Sequence, residues 1–168
     1  MPDPVRSAAV PGAMTLGWPG SAGELVDAQR ALAACEPPPW RPPAGAPLTV
    51  GACAVCFASG QTGAGAGGDR AWAAAAVVRG HATLADAVAL GEAAAPYAVG
   101  LLALREGPLL EATVRALAVM PDVLLVDATG RDHPRGAGLA LHLGAVLGMP
   151  TVGVTHRPLQ AGDRKSVV

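Results

Sequence analysis

Leu48 to Ala58 reads LTVGACAVCFA. The run carries no charge, has no polar face and is too short for a typical core helix, so it predicts a strand buried on both faces. Two apolar stretches follow it, Ala71 to Arg79 and Ala82 to Leu90, broken at Gly80 and His81. They predict two more strands in a meander with the first, although AWAAAAVV also suits a helix. Upstream, the Pro-rich segment Glu36 to Pro47 reads as a connector that is neither helix nor central strand. Before it, Ser21 to Ala34 predicts a helix, with Ser21 as cap, Glu24 three residues on, and Leu25, Ala28 and Leu32 on one face. Residues 1–20 read as a loose lead-in.

Downstream, the clearest helix is Leu101 to Val119, where Leu102, Leu109, Leu110, Val114 and Leu117 recur at helical spacing and Pro121 follows the end. Asp122 to Ala128 predicts a short buried strand. Pro134 to Gly148 predicts another helix, with Pro in its first turn and Gly at its end. Pro150 to Thr155 predicts a last strand. The order is helix, three strands, helix, strand, helix, strand. This is an α/β chain with a mixed sheet, a meander followed by parallel strands, flanked by helices. Such folds put functional groups at strand C-termini and in the loops after them.

The chain has 168 residues, of which 51% are hydrophobic and 15% charged, with net charge -1. That is one ordinary domain, too apolar for disorder and too balanced for a basic nucleic-acid-binding tail. It has no 18-residue apolar run and no secretory pattern. Three cysteines argue against a disulfide framework and for a reducing, cytoplasmic setting. Aromatics at 3% leave no platform of several stacking rings. The excess of Ala, Gly, Pro and Arg, with Lys165 as the sole lysine, looks like GC-rich codon bias, which blurs propensity because Ala stands in for Val or Leu.

Asp127 ends an apolar strand, where a carboxylate is poorly hydrated unless a cation or backbone donors meet it; it also reads as a turn residue before Gly130. Glu106 lies beside Arg105 in the clearest helix and reads either as a solvated helix face or as a site residue. Together the two could form an oxygen site for Mg²⁺, which takes one or two carboxylates plus water and phosphate. Arg131, His133 and Arg135 follow Asp127, and Thr155, His156 and Arg157 end the next strand. Parallel strand ends lie side by side, so these residues make a cationic rim suited to phosphate, or else ordinary solvated loops. Gly63, Gly65 and Gly68 satisfy GxGxxG, with Asp86 following, but the motif arises easily in GAGAGG and reads better as a hairpin loop than as a dinucleotide site. Cys53 and Cys56 form CxxC, yet on a strand they point to opposite faces and read as buried apolar residues. His81 and His142 read as structural.

Three segments in order resemble the endonuclease V family. They are Pro96 to Glu106 (PYAVGLLALRE), Pro121 to Leu143 (PDVLLVDATGRDHPRGAGLALHL) and Pro150 to Leu159 (PTVGVTHRPL). The resemblance implies an RNase H-like fold over residues 21–159. It also implies a DNA repair nuclease that uses Mg²⁺, with Mn²⁺ as substitute, to hydrolyse the second phosphodiester 3′ to deoxyinosine; some relatives prefer inosine in RNA. By the same resemblance Glu106 and Asp127 match metal carboxylates, and His133 matches the histidine of the HPR segment. Tyr97 matches the tyrosine of a wedge that separates the lesion's base pair, and Gly100 matches its glycine. Catalysis is then expected from Glu106, Asp127, His133 and His156, and nucleic-acid contacts from Tyr97, Gly100, Arg131, Arg135 and Arg157.

The departures from the pattern matter. Cys53 stands where the family has a metal-binding aspartate, and a thiol is a poor substitute on Mg²⁺. His156 replaces a lysine, Ala98 and Val99 loosen the wedge, and Ala128 replaces a glycine. AGDRKSVV does not resemble the family's continuation, so residues 160–168 are expected to be a non-native tail on a C-terminally truncated domain. Two readings follow: a nuclease, or a degenerate relative that binds nucleic acid without cutting; a dinucleotide module around Gly63 to Gly68 is a distant third. The expected chain is a monomer with no membrane partner.

Overall fold

A computed structural model describes residues 17–42, 44–58 and 64–155. Its elements run in the predicted order: α1 (Ala22–Ala34), β1 (Val50–Phe57), β2 (Arg70–Arg79), β3 (Ala82–Glu92), α2 (Leu102–Arg115), β4 (Val123–Val126), α3 (Leu139–Leu147) and β5 (Thr151–Gly153). The meander prediction holds: β1–β2 and β2–β3 are antiparallel. β4 pairs in parallel with β1, and β5 in parallel with β4. The sheet order is β3-β2-β1-β4-β5.

β1 is not buried on both faces. Gly51 and Cys53 are buried, whereas Ala52, Ala54 and Cys56 are exposed. The same alternation runs through β2, where Ala71, Ala73, Ala75 and Val77 point inward. α2 lies against β1, β2 and β3, α3 lies against β4 and β5, and α1 packs on both helices. All three helices therefore cover one face. A strand reads as buried on one face only if its alternate positions differ in polarity, and Ala-for-Val drift removes that contrast.

The inner face is small, which lets α2 approach closely. A Cβ on Gly91 would come within 2.7 Å of Leu109, and one on Gly51 within 2.6 Å of Pro121. Leu110 and Val114 of α2, Leu124 and Val126 of β4, and Leu139 and Leu143 of α3 are fully buried in the shared core. Reciprocal bonds lock the start of β4 to the start of β1: the Thr49 N–H and Oγ1 donate to Asp122 Oδ2 at 2.8 and 2.6 Å, and the Asp122 N–H donates to Thr49 Oγ1 at 3.0 Å.

Two helices are shorter than their patterns predict. α2 stops at Arg115, and Ala116 closes it. The chain must extend before Pro121 to enter β4, so the residues after Leu117 cannot stay helical. α3 starts at Leu139, not Pro134. Gly136 has φ +73 and the Gly138 cap is extended, so residues 127–138 form a loop. The Gly138 N–H donates to Gly130 O and the Ala140 N–H to Thr129 O, which uses early helix donors in place of a side-chain cap.

α1 forms as predicted, with Ser21 Oγ accepting from the Glu24 N–H at 3.3 Å. Its buried face is Leu25, Gln29 and Leu32. Residues 1–16 lie outside the described residues, but Trp18 is no loose lead-in: its indole donates to Glu111 Oε2 at 2.7 Å, stacks on His142 with centroids 4.8 Å apart, and fills the space that Gly107 leaves open.

Candidate functional site

The parallel core of the sheet sets the site. Cys53 is in register with Val126, and the next residue, Asp127, donates its N–H to the Cys53 carbonyl at 3.2 Å. Asp127 thus sits exposed at the C-terminal end of β4, where a sheet of this kind presents its chemistry. Glu106 projects from the second turn of α2 and is partly buried. Burial pushes its carboxyl up to about 7, against the opposing pull of Arg105, and the negative charge of Asp127 adds to the rise. The two carboxylates that the sequence singled out are therefore brought within electrostatic reach of each other. A half-buried carboxylate close to an exposed one is a pair of like charges that a divalent cation relieves, so the pair suits one.

Cys53 does not extend this donor set. Its side chain is buried among the core residues, and burial raises its thiol to about 12, so it stays protonated and apolar at neutral pH. Cys56, two faces away as expected, is exposed rather than buried, and both cysteines are free. Among the described residues no group of three or more His, Cys, Asp or Glu is arranged to hold a metal.

Arg105, beside Glu106, is tied up by structure. Its guanidinium donates to Ala66 O (2.7 Å), Ala95 O (2.9 Å) and Asp69 Oδ2 (2.8 Å), and lies 4.2 Å from the Phe57 ring centroid. Asp69, hydrogen-bonded to Arg105, is held below the usual carboxylate range. The glycine-rich segment is this anchor's partner rather than a dinucleotide loop: Gly65 packs against Arg105, and the Gly68 N–H donates to Ala93 O. Gly63 lies outside the described residues, and Asp86 is exposed on the far face of β3.

A second cluster surrounds the turn after Tyr97. The Leu101 N–H donates to Ala98 O, and Gly100 takes φ +76, which an L side chain rarely adopts. Tyr97 and Val99 stand exposed on this turn. The Gly100 carbonyl accepts from Gln29 Nε2 at 3.1 Å and from Arg135 Nη2 at 2.5 Å, while Arg135 Nε donates to Gln29 Oε1. His133 is buried; its Nδ1 accepts from the Arg135 N–H at 3.1 Å and its Nε2 lies against Gly100 with no good hydrogen bond. Burial, then the Arg135 charge, hold His133 below its ordinary pKa, so it is neutral at pH 7. Arg131 donates to Cys35 O at 2.7 Å, closing the end of α1. Arg131 and Arg135 of the expected rim thus have protein partners. Thr155 is half-buried, and His156 and Arg157 lie outside the described residues.

His142 is fully buried beneath Trp18, in keeping with its structural reading, and His81 is exposed in the β2–β3 turn. Sequence reasoning missed Gln29, Asp69 and Trp18. Gln29 alone left a signal, as the polar member of an i, i+4, i+7 face with Leu25 and Leu32.

A mixed sheet in which β1, β4 and β5 run parallel, with Asp127 at the C-terminal end of β4 and Glu106 on the helix packed against the sheet, is the RNase H-like α/β fold of a nuclease class. The family model for endonuclease V matches residues 49–166. The chain belongs to the endonuclease V family. Over 88 residues it is 49% identical to endonuclease V of Streptomyces avermitilis, an alignment covering 51% of this chain and 38% of that protein. The crystal structure of that Streptomyces avermitilis protein superposes with TM-score 0.66 at 34% identity, over 84% of this chain and 60% of the other. Ciona intestinalis endonuclease V, solved with a 24mer DNA containing an inosine followed by a ribo-adenosine, shares the fold with TM-score 0.57 at 23% identity, over 79% of this chain and 56% of that one. The chain therefore spans well under two thirds of the length of these relatives. Among the described residues no helix is long and apolar enough to cross a membrane.

Proposed function

We propose that this chain is an inosine-directed phosphodiesterase that cuts DNA at the second bond 3′ to deoxyinosine, with Glu106 and Asp127 holding a Mg²⁺ or Mn²⁺ ion in the cytoplasm. The observation that carries the reading is the placement of an exposed Asp127 at the end of β4 with the half-buried Glu106 of α2 near enough to feel its charge, in a chain of this family. The inosine-containing DNA bound by the Ciona intestinalis relative supports the choice of substrate. When bound, the ion would polarise a phosphoryl oxygen and supply charge to the transition state. Asp127 offers an exposed carboxylate to it, and Glu106 a half-buried one that must first lose its proton. The buried, neutral His133 holds the loop after Asp127 against Gly100. Tyr97, exposed on the neighbouring turn, would press on a base step, the task that takes a base out of its stack.

The protonated thiol of Cys53 favours a second reading, a relative that binds such DNA without cutting it. Losing one charge-stabilising group from a phosphoryl-transfer site costs about 10²–10³ in rate. An end-labelled duplex with one deoxyinosine, incubated with Mg²⁺, with Mn²⁺ and with a chelator, separates the two. A chelator-sensitive cut displaced to the 3′ side supports the nuclease; retention of the duplex without a cut supports the binder.

A further inference from the structure

We propose that Gln29 of α1 is a positioning residue for the base-opening turn: with Arg135 it fixes the Gly100 carbonyl, and through it the Tyr97–Gly100 segment. The inference rests on the reading of Tyr97 given above.

Gln29 is 2% exposed, which is unusual for an amide on an outer helix. Both ends of its side chain are used. Nε2 donates to Gly100 O at 3.1 Å, and Oε1 accepts from Arg135 Nε. Arg135 Nη2 closes the ring on the same carbonyl. Both lone pairs of the Gly100 carbonyl are thus occupied, by donors 71 and 35 residues away in sequence. The turn itself has little to hold it. Tyr97, Ala98 and Val99 are exposed; the turn's own bond is the Leu101 N–H to Ala98 O, and its start is tied by the Tyr97 N–H to Gly65 O. A side chain that pushes into a base stack works against the cost of unstacking, and a turn free to swing would yield first. The ring also leaves no room to relax, because a Cβ on Gly100 would lie 2.8 Å from Arg135 Nη2 and 3.3 Å from His133 Nε2. The clamp therefore joins three parts: α1, the Tyr97 turn that leads into α2 and Glu106, and the loop following Asp127.

The test is Gln29→Leu, which keeps bulk and burial and removes both bonds. Two readouts are taken. Hydrogen exchange of the free protein follows the Leu101 amide against amides of the β1–β2 pairing. Fluorescence of 2-aminopurine placed beside deoxyinosine in a duplex follows base opening, with binding measured separately by anisotropy. The expected result is at least tenfold faster exchange at Leu101 with the β1–β2 amides unchanged, and at least tenfold less base opening at saturating protein with affinity within about threefold. Val77→Ala, a buried change in β2 far from the turn, controls for lost stability. The proposal is overturned if Leu101 exchange is unchanged in Gln29→Leu, or if Val77→Ala lowers base opening as much at equal melting temperature. If the wild-type chain opens no base, the substrate reading fails instead, and Leu101 exchange still decides whether Gln29 holds the turn.

Discussion

Glu106 lives in a folded environment that disfavours its charge. Its folded pKa, raised to about 7, lies above the value for an unfolded glutamate. The protonated form is thus the one the fold prefers. That preference is fully present below the unfolded pKa and is lost as pH rises through about 7. Glu106→Gln should therefore match wild type in melting temperature at pH 4 and exceed it at pH 8, by on the order of 2 kcal/mol in stability. Thermal unfolding across that range checks the sign; equal melting temperatures at pH 8 would count against a dehydrated carboxyl. Asp122 behaves oppositely. Bonds from Thr49 hold its carboxyl below the usual range, so its contribution is present above the unfolded pKa and lost as pH falls through the folded one. Asp122→Ala should lower the melting temperature at pH 7 and matter little in strong acid. Asp127 was legible in the sequence because a carboxylate that ends an apolar strand is anomalous, whereas Glu106, beside Arg105, stood out through its place in the segment that resembles the family. Gln29 was not read, because an amide on a helix is ordinary until its burial is known.

At the scale of elements, α2 is held by a contact that its own pattern does not reveal. Trp18 occupies the position of a missing side chain at Gly107, where a Cβ would approach its ring to 2.1 Å. Gly107→Ala should cost about 1–3 kcal/mol. In a Trp18→Ala background the same change should cost nothing or be stabilising, since alanine favours helix over glycine by about 1 kcal/mol. A double-mutant cycle by denaturant unfolding reads the coupling, and additive effects would remove Trp18 from this account. The helical periods of α1 and α2 and the strand order were readable because hydrophobic spacing reports them directly. The true start of α3 was not. Pro134 and Pro121 looked like helix punctuation, but the glycines at 136 and 138 turn the chain through conformations that composition alone does not distinguish. That loop matters to the site, since it fixes the segment after Asp127.

At the scale of the molecule, the three helices among the described residues pack on the same face of the sheet and leave its other face uncovered by them. Cross-strand register lines up Trp72 with Leu90 and with Cys56, and Ala74 with Val88 and with Ala54, along that face. Val88 is 73% exposed, Leu90 65% and Val152 48%. Contiguous apolar surface of this kind marks an interaction or aggregation site. The chain should bind a hydrophobic dye and show concentration-dependent association, and Val88→Lys with Leu90→Lys should suppress both without lowering the melting temperature. Light scattering over a protein dilution series tests this; a dye-silent monomer at high concentration would contradict it. The sequence expectation of a mixed sheet flanked by helices held; the expectation of a β1 buried on both faces did not, because alanine-rich strands look equally buried on either side.

The central claim is that Glu106 and Asp127 act together on one divalent cation. Titration calorimetry of Mn²⁺ into the wild type and into Glu106→Gln, Asp127→Asn and Cys53→Asp variants at pH 7.5 tests it most directly. Expected are one site in the wild type, at least tenfold weaker binding in each single carboxylate variant, and tighter binding in Cys53→Asp, which restores the aspartate that the resemblance to the family implies at that position. Wild-type protein that is folded and binds no Mn²⁺, or binding indifferent to both carboxylates, would contradict it.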